Sequence, residues 1–170
     1  LNFMPTGGIN ADNLLDYLKF GKIIACGGSF MVKDDLVKEK KWDEITALTK
    51  NAVKTMLGLE FVHLGINHEN AEEATKSAKL FELMFGLPVK EGSKSLFAGD
   101  AFEFMKQKGP GTHGHIAIRT NFVDRAMAYF KRMGFAFDES TVTYDEKTGK
   151  PKFVYFKDEI AGFAIHLLAK

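Results

Sequence analysis

The feature that most constrains this fold is a strand followed at once by a helix, a unit that the chain contains twice. Residues 61–67 (FVHLGIN) and 114–120 (GHIAIRT) both alternate large apolar residues with small or polar ones, which is the pattern of a half-buried strand. Amphipathic helix patterns follow at 71–85 and 121–133. Because an internal repeat indicates a repeated supersecondary unit, the chain is predicted to contain two similar modules.

Each copy continues with three further short strands. They are predicted at 89–94, 95–98 and 101–106 after the first helix, and at 135–144, 152–157 and 162–168 after the second. Gly86 and Gly134 end the two helices, and residues 108–111 (KGPG) have the composition of a linker. The sequence therefore predicts an α+β unit of two βαβββ modules over residues 59–170, with a domain boundary near Gly58.

The first and last strands of each module carry one potential metal ligand apiece. Strand alternation places each of these side chains on the face away from its bulkiest neighbours; they are His63, Glu103, His115 and His166. Three imidazoles and one carboxylate suit Zn, Ni, Co, Mn or Fe(II). The alternative is a set of half-buried, hydrogen-bonded histidines and a solvated glutamate. Four such groups at matching strand positions favour the metal centre.

Other polar residues of this unit are weaker candidates. His68 and His113 lie at the edges of elements, which makes them less suited to metal ligation. Arg119 lies on the ligand-bearing face of its strand and could hold a substrate carboxylate, although a surface arginine explains it equally well. Tyr144 and Tyr155 could form walls of a cleft, but packing in the core or on the surface is the favoured prediction.

Composition excludes several classes of function. The 170 residues carry a net charge of +1, so bulk electrostatics favour neither nucleic acid nor an anionic membrane. No apolar run approaches the ~20 residues of a spanning helix, and no secretory signal is recognisable. Cys26 is the single cysteine, so an internal disulfide cannot form and a cytoplasmic protein is the default expectation.

Residues 1–58 predict a different arrangement, strand-helix-strand-helix. Two short apolar stretches, at the start of the chain and at 23–26, are each followed by a glycine pair, and helices are expected at 11–20 and 42–57. Asn10 is the expected N-cap of the first helix. Glycine turns after strands let backbone N–H groups approach an anion, but most such pairs form only tight turns.

The motifs FMPTGGIN at 3–10 and CGGSF at 26–30 resemble the last two strand-helix units of the 2-keto-3-deoxy-6-phosphogluconate/4-hydroxy-2-oxoglutarate aldolases, which are class I aldolases with a (β/α)8 barrel. The resemblance covers roughly the first third of the chain. It implies that Thr6 faces a 2-oxo acid substrate at the C-terminal loops of the barrel. The groups that would hold the phosphate or distal end of the substrate are those of Gly7, Gly8, Gly28 and Ser29.

The same resemblance places the family's Schiff-base lysine and acid/base glutamate on strands that precede Leu1. Two strands of eight cannot close a barrel, so residues 1–58 are interpreted as the C-terminal end of a truncated (β/α)8 barrel without aldolase activity. Lys22 and Lys33 do not lie where the family's lysine lies. The contrary hypothesis, that residues 1–58 still catalyse aldol cleavage, conflicts with the missing lysine.

Residues 59–170 resemble the vicinal oxygen chelate superfamily, which includes glyoxalase I and extradiol dioxygenases. The segments that carry the resemblance are FVH at 61–63, GHIAI at 114–118 and GFAIHL at 162–167. The resemblance implies a cleft with metal ligands from the first and last strands, and Glu103 as a displaceable ligand and general base. Glyoxalase I-like members usually carry a carboxylate on the last strand, so His166 argues against lactoylglutathione lyase activity.

Two hypotheses from different classes follow. The first is an enzyme whose divalent metal acts as a Lewis acid on a small 2-oxo acid or vicinal dioxygen substrate, without an organic cofactor. The second is a non-catalytic dimerisation or metabolite-binding module of the aldolase. In either case a homo-oligomer, most plausibly a dimer, is expected, with no nucleic-acid or membrane partner.

Overall fold

The chain divides into two compact units, Leu1–Gly58 and Leu59–Lys170. The computed structural model describes all residues from 1 to 170. None of the helices combines the length and the apolar character that crossing a bilayer demands.

The first unit is mainly helical. Its elements are α1 (Leu14–Lys19), a 3-10 helix (Ser29–Met31), α2 (Asp34–Lys38) and α3 (Trp42–Leu57). Two parallel bridges, Phe3 with Ile23 and Thr6 with Gly27, align the two segments that precede the glycine turns. The predicted helix at 42–57 is confirmed, and it ends at Gly58 in the left-handed conformation (φ 53°) that glycine adopts without strain.

The helix predicted at 11–20 begins later, at Leu14. The reason lies in Asn10, whose Oδ1 atom accepts the backbone N–H groups of Asp12 (2.9 Å) and Asn13 (3.1 Å). These bonds fold residues 10–13 into a turn that delays the helix, because asparagine side chains compete with helical backbone hydrogen bonds.

Two further expectations for this unit were wrong. The strand predicted at 23–26 is present only as isolated bridges at Ile23 and Gly27. The short helix α2 was not expected, and it buries only Leu36. A five-residue helix with one buried side chain has no apolar period that a sequence can display.

The second unit is one eight-stranded sheet with two helices. Its elements are β1 (Glu60–Ile66), α4 (Ala71–Phe85), β2 (Val89–Glu91), β3 (Ser95–Ala98), β4 (Phe102–Met105), β5 (Gly114–Thr120), α5 (Val123–Arg132), β6 (Phe137–Tyr144), β7 (Pro151–Phe156) and β8 (Phe163–Ala169). The strand order is β2-β3-β4-β1-β5-β8-β7-β6. The predicted α+β fold of two βαβββ modules is therefore confirmed.

The two modules repeat one arrangement on either side of the β1–β5 seam. Counted outward from the β1–β5 pair, the strands of each module lie in the order first, last, third and second. The first and last strands of each module pair in parallel, whereas β1 and β5 pair antiparallel. Each position in one module thus has a counterpart in the other.

Strand register places the candidate ligands on one face of the sheet. Directly paired residues share a face of the sheet. Gly65 pairs with both Glu103 and His115, and Ala117 pairs with both His63 and His166. The opposite face carries the apolar core. Phe104, 1% exposed, lies there between the strands and the small helix residues Ala74 and Ala78.

Part of this apolar face stays open beside α5. The register of β1 shifts between Phe61 and His63, so that Phe61 pairs with Ile118. A groove of about 440 Å³ lies at this place, and its almost wholly apolar lining includes Phe61, Ile118, Phe135 and Ile160. Phe61, Phe135 and Ile160 are each about half exposed or more.

The side chain of Asn67 holds the linker between the modules in place through hydrogen bonds. Its Nδ2 atom donates to the carbonyl oxygens of Gly109 (3.2 Å) and Gly111 (2.8 Å), and its Oδ1 atom accepts the N–H group of Gly109 (3.0 Å). Because the linker enters β5 at Gly114, these bonds fix the start of the second module.

We predict that Asn67→Ala lowers the free energy of unfolding of the second unit by about 2 kcal/mol, since three part-buried hydrogen bonds are lost at once. Urea denaturation followed by far-UV circular dichroism measures the change. Gln107→Ala, which removes an exposed amide from the same linker, is the matched control. Equal midpoints for the two variants would contradict the role assigned to Asn67.

Candidate metal centre

Three of the predicted ligands form a compact triangle of polar atoms. The Nε2 atoms of His63 and His115 lie 3.1 Å apart. The Oε2 atom of Glu103 lies 3.0 Å from the Nε2 atom of His115 and 3.2 Å from that of His63. The triangle spans both modules, because Glu103 and His63 come from the first module and His115 from the second.

His166 completes the group from β8. One ligand atom from each of the three histidines lies within 4.8 Å of the others. The ring of His166 is centred 5.3 Å from that of His115 and 5.9 Å from that of His63. The structure thus brings together all four residues that the sequence placed on equivalent strands, with Glu103 in contact with two of the three imidazoles.

The triangle has the dimensions of a metal coordination shell. Metal–nitrogen bonds of about 2.0–2.1 Å place neighbouring ligand atoms about 3.3 Å apart in a tetrahedron and about 2.9 Å apart in an octahedron. The separations of 3.0–3.2 Å fall in this range. Two imidazole nitrogens that face one another repel unless a proton or a cation lies between them. The residues present therefore fit a divalent metal ion.

Glu103 is held in its charged form by its neighbours. Burial alone would raise the pKa of this carboxyl group, but hydrogen bonds from His115, His63 and Ser95 outweigh it and hold the pKa well below its usual range. Ser95 donates its hydroxyl to the Oε1 atom at 2.6 Å, which leaves the Oε2 atom for the histidines. Sequence reasoning missed Ser95, since the contact depends on the β3–β4 register.

His166 is held in its neutral form. Burial lowers its pKa to about 3, and electrostatic interaction with His115 and His63 acts in the same direction. A neutral imidazole is the form that ligates metals. The Nδ1 atoms of His115 and His166 are buried without a hydrogen-bond partner, so packing rather than an outer acceptor orients these two rings.

Small residues make room for the rings. A Cβ atom at Gly65 would lie 2.1–2.5 Å from the ring atoms of His115, so the ring rests directly on the backbone of β1. Ala117, the counterpart of Gly65 in the second module, is completely buried between His63 and His166. In both β1 and β5 the ligand histidine is followed two residues later by one of these small residues. This spacing is visible in the sequence and could have indicated the space for the rings.

Aromatic side chains flank the cluster on both sides. The ring of Phe97 meets His63 edge-on with centroids 5.5 Å apart. On the other side, Phe153 lies 4.7 Å and Tyr155 lies 5.0 Å from the ring centre of His166. Burial, and then the charge of Glu103, raise the pKa of Tyr155, which keeps its phenol neutral. Tyr155, which the sequence offered as a cleft wall or as a packing residue, thus contacts a predicted ligand.

Arg119 lies at the exposed end of β5, in an ion pair. Its Nε atom is 2.7 Å from the Oε2 atom of Glu60, whose Oε1 atom also accepts Lys170 at 2.6 Å. Its assignment to a substrate carboxylate remains a prediction. His68 contacts the carbonyl oxygen of Ile66 at 3.1 Å and the hydroxyl of Ser77 at 2.9 Å, which makes it a structural residue of the first module.

The phosphate-site candidates of the first unit lie in two adjacent turns. The bridge between Thr6 and Gly27 sets the turn of Gly7 and Gly8 beside that of Gly28 and Ser29. Gly7 and Gly8 have positive φ angles, 80° and 70°. Anion binding by these groups remains a prediction.

Comparison with known proteins separates the two units. The family model of the KDPG and KHG aldolases matches residues 1–48. The 2-dehydro-3-deoxy-phosphogluconate aldolase of Haemophilus influenzae is 45% identical over 53 residues, which is 31% of this chain and 25% of that enzyme. The KHG/KDPG aldolase of Escherichia coli is 39% identical over 54 residues, which is 32% of this chain and 25% of that enzyme. The chain thus spans about a quarter of these relatives.

Similar solved structures align with about two thirds of the chain. A hypothetical protein of Bacillus halodurans (TM-score 0.46, 13% identity) aligns with 66% of this chain and 94% of its own. A Streptomyces coelicolor methylmalonyl-CoA epimerase (TM-score 0.43, 13% identity) aligns with 65% of this chain and 96% of its own. Homoprotocatechuate 2,3-dioxygenase of Arthrobacter globiformis (TM-score 0.41, 17% identity) aligns with 65% of this chain and 35% of its own. At these TM-scores the fold assignment rests on the strand order of the chain itself. By its sequence motifs and its strand order, the chain joins a segment similar to the KDPG and KHG aldolases to a unit with the vicinal oxygen chelate fold.

Proposed function

We propose that the unit Leu59–Lys170 binds one divalent metal ion and acts on a small substrate with two chelating oxygens, a 2-oxo acid or a vicinal dioxygen compound. The proposed ligands are His63, Glu103, His115 and His166. The observation that carries the proposal is the triangle of Nε2, Nε2 and Oε2 atoms with edges of 3.0–3.2 Å. Its three mutually facing polar atoms have the spacing of cation ligands.

The donor set defines what the site can do. A bound divalent ion supplies Lewis-acid polarisation of a substrate oxygen. The three imidazoles provide neutral donors, and Glu103 provides the only negative charge, so the ligand set leaves a net positive centre that attracts a carboxylate or enolate. Buried ligands and aromatic neighbours exclude water from one side of the site.

Glu103 has two proposed roles, ligand and base. Its depressed pKa keeps it charged, which suits a ligand, but a base with a strongly depressed pKa has little drive to take a proton. Movement of the Oε2 atom away from the proposed metal position, and so from His63 and His115, removes the interactions that stabilise the charged carboxylate. The Ser95 hydroxyl can hold the Oε1 atom during that movement, so the base role belongs to the displaced carboxylate.

The first unit is proposed to be part of a KDPG/KHG-type aldolase, with Thr6, Gly7, Gly8, Gly28 and Ser29 contacting a phosphorylated 2-oxo acid. Residues 1–170 are proposed not to catalyse aldol cleavage by themselves. The support is the resemblance, which assigns the Schiff-base lysine to a strand before the PTGG motif of residues 5–8.

A second candidate function is an assembly module without chemistry. The open apolar groove beside α5 favours it, because exposed apolar patches commonly mark protein interfaces. Helix α4 also exposes the apolar side chains of Leu80, Leu83 and Met84. A second copy of the chain is the proposed occupant, since two apolar patches on one unit allow a self-complementary pair.

We predict that the purified chain contains near-stoichiometric metal and that His115→Ala loses it, because the variant removes one corner of the triangle. Inductively coupled plasma mass spectrometry on untagged protein measures the content. His113→Ala, which removes an exposed imidazole two residues away, is the control and keeps its metal. If wild-type protein binds no metal after incubation with Zn, Ni, Co and Mn, the catalytic proposal fails and the assembly module remains.

We predict that Gly65→Ala lowers metal affinity by roughly 10–100-fold although it removes no ligand, because the new methyl group displaces the His115 ring. Competition with a chromophoric chelator measures the affinity. Gly109→Ala is the matched control, since its Cβ would meet its nearest neighbour at an ordinary 3.5 Å. Unchanged affinity in Gly65→Ala would show that the ring of His115 takes no part in binding.

We predict that borohydride with labelled pyruvate leaves residues 1–170 unlabelled, because a Schiff base needs a lysine at the catalytic position. Intact mass spectrometry reads the result, with an active KDPG/KHG aldolase as the positive control. Covalent label at Lys22 or Lys33 would refute the proposal and restore aldolase chemistry to this segment.

A further inference from the structure

A cavity of about 180 Å³ lies beside the proposed metal centre. Tyr155 and Ala164 line it, and each is the direct neighbour of a proposed ligand. Tyr155 pairs with His166, with ring centres 5.0 Å apart, and Ala164 pairs with His115. Because paired residues share a face of the sheet and lie about 5 Å apart, the cavity begins next to the histidines on the ligand-bearing face.

Beyond these two residues the cavity lining is mainly polar. Asp138 pairs with Tyr155 across β6 and β7, and Lys157 follows Tyr155 by two residues, so both extend the same face of the sheet. The backbone N–H group of Lys157 donates to the carbonyl oxygen of Ala136 at 2.9 Å, which continues the strand pairing to this point. The other lining residues are Pro110, Gly111, Thr141, Phe156, Asp158 and Glu159.

The polar groups of the lining keep hydrogen-bonding capacity for a ligand. Ser140 binds the Oδ1 atom of Asp138 at 2.6 Å and 3.0 Å, which leaves the Oδ2 atom as an acceptor. Thr112 likewise uses only the Oε2 atom of Glu159. The exposed Lys157 side chain forms no ion pair and offers a donor. Acceptors and donors that lie side by side suit hydroxyl groups, which do both.

The charges of the lining disfavour a phosphate group. Three carboxylates, those of Asp138, Asp158 and Glu159, face one ammonium group, that of Lys157, so three negative charges and one positive charge leave a net charge of −2. A second anionic group of a substrate would be repelled there, whereas a neutral hydroxyl would not. The metal centre next to it has the opposite preference, because its proposed ligand set leaves a net positive charge.

We propose that the second unit takes a 2-oxo acid with an unphosphorylated, hydroxylated tail. Its carboxylate and oxo oxygens meet the ligand cluster, and its tail enters the cavity between Tyr155 and Lys157. There the hydroxyl groups donate to the carboxylates of Asp138 and Glu159 and accept from the phenol and the ammonium group. This inference rests on the proposed metal site and names the substrate class of that site. It separates the second unit from the phosphorylated acids that the names of the aldolase relatives specify.

Calorimetric titration of the Zn-loaded chain with three related 2-oxo acids tests the inference. The probes are 2-oxohexanoate, 2-dehydro-3-deoxy-gluconate, which adds hydroxyl groups to the same carbon chain, and 2-dehydro-3-deoxy-phosphogluconate, which adds a phosphate. The unphosphorylated hydroxylated acid is expected to bind about tenfold more tightly than either of the others, which corresponds to one or two hydrogen bonds. His115→Ala, which is expected to lack metal, is titrated in parallel, and any binding it retains is assigned to the first unit and subtracted.

Two variants locate the hydroxylated tail. Tyr155→Phe and Lys157→Met each remove one polar group and keep the apolar part of the side chain. Each is expected to reduce the preference for the hydroxylated acid about threefold or more, while the affinities for 2-oxohexanoate and for Zn stay unchanged. Lys152→Met is the matched control, because it removes an exposed lysine of the same strand that does not line the cavity, and it keeps the preference.

The outcomes that would overturn the inference are distinguishable. Equal affinity for 2-oxohexanoate and the hydroxylated acid, or tightest binding of the phosphorylated acid, refutes the substrate class while the metal site stands. An unchanged preference in both Tyr155→Phe and Lys157→Met refutes the cavity as the place of the tail. Absence of Zn binding in the wild-type chain refutes the proposed function itself and the tail site with it.

Discussion

The close approach of β1 and β5 at the antiparallel seam is the constraint on which the second unit depends. His115 of β5 rests on the bare backbone of Gly65, and the completely buried Ala117 separates His63 from His166. Larger side chains at either place would push the imidazoles apart. The ligands therefore converge because the residues between them are small, and this convergence unites the two modules around one centre.

The two modules supply similar positions but different chemistry. At the last strand the first module presents Glu103, held by the Ser95 hydroxyl, and the second presents His166, packed against Phe153. Ser95 and Phe153 occupy equivalent register positions, since they pair with Met105 and Leu168. The last ligand of the first module is thus charged and hydrogen-bonded, and that of the second is neutral and packed against aromatic rings.

Sequence periodicity predicted the architecture of the second unit well, because alternation of apolar residues reports directly which face of a strand is buried. The same alternation placed all four ligands on one face. It could not reveal Ser95, Phe97 or Phe153 as neighbours of the ligands, since those contacts depend on register between strands that are distant in sequence. In the first unit, the Asn10 turn and the helix α2 escaped prediction because local hydrogen bonds, rather than periodic burial, define them.

X-ray absorption spectroscopy of the metal-loaded chain would identify the ligands, because it reports the atoms that surround the ion. We predict a first shell of nitrogen and oxygen at about 2.0–2.2 Å with outer-shell scattering from three imidazoles, contributed by His63, His115 and His166. A shell of solvent oxygen without imidazole scattering, or one that contains the sulfur of Cys26, would contradict it and would place the ion elsewhere on the protein.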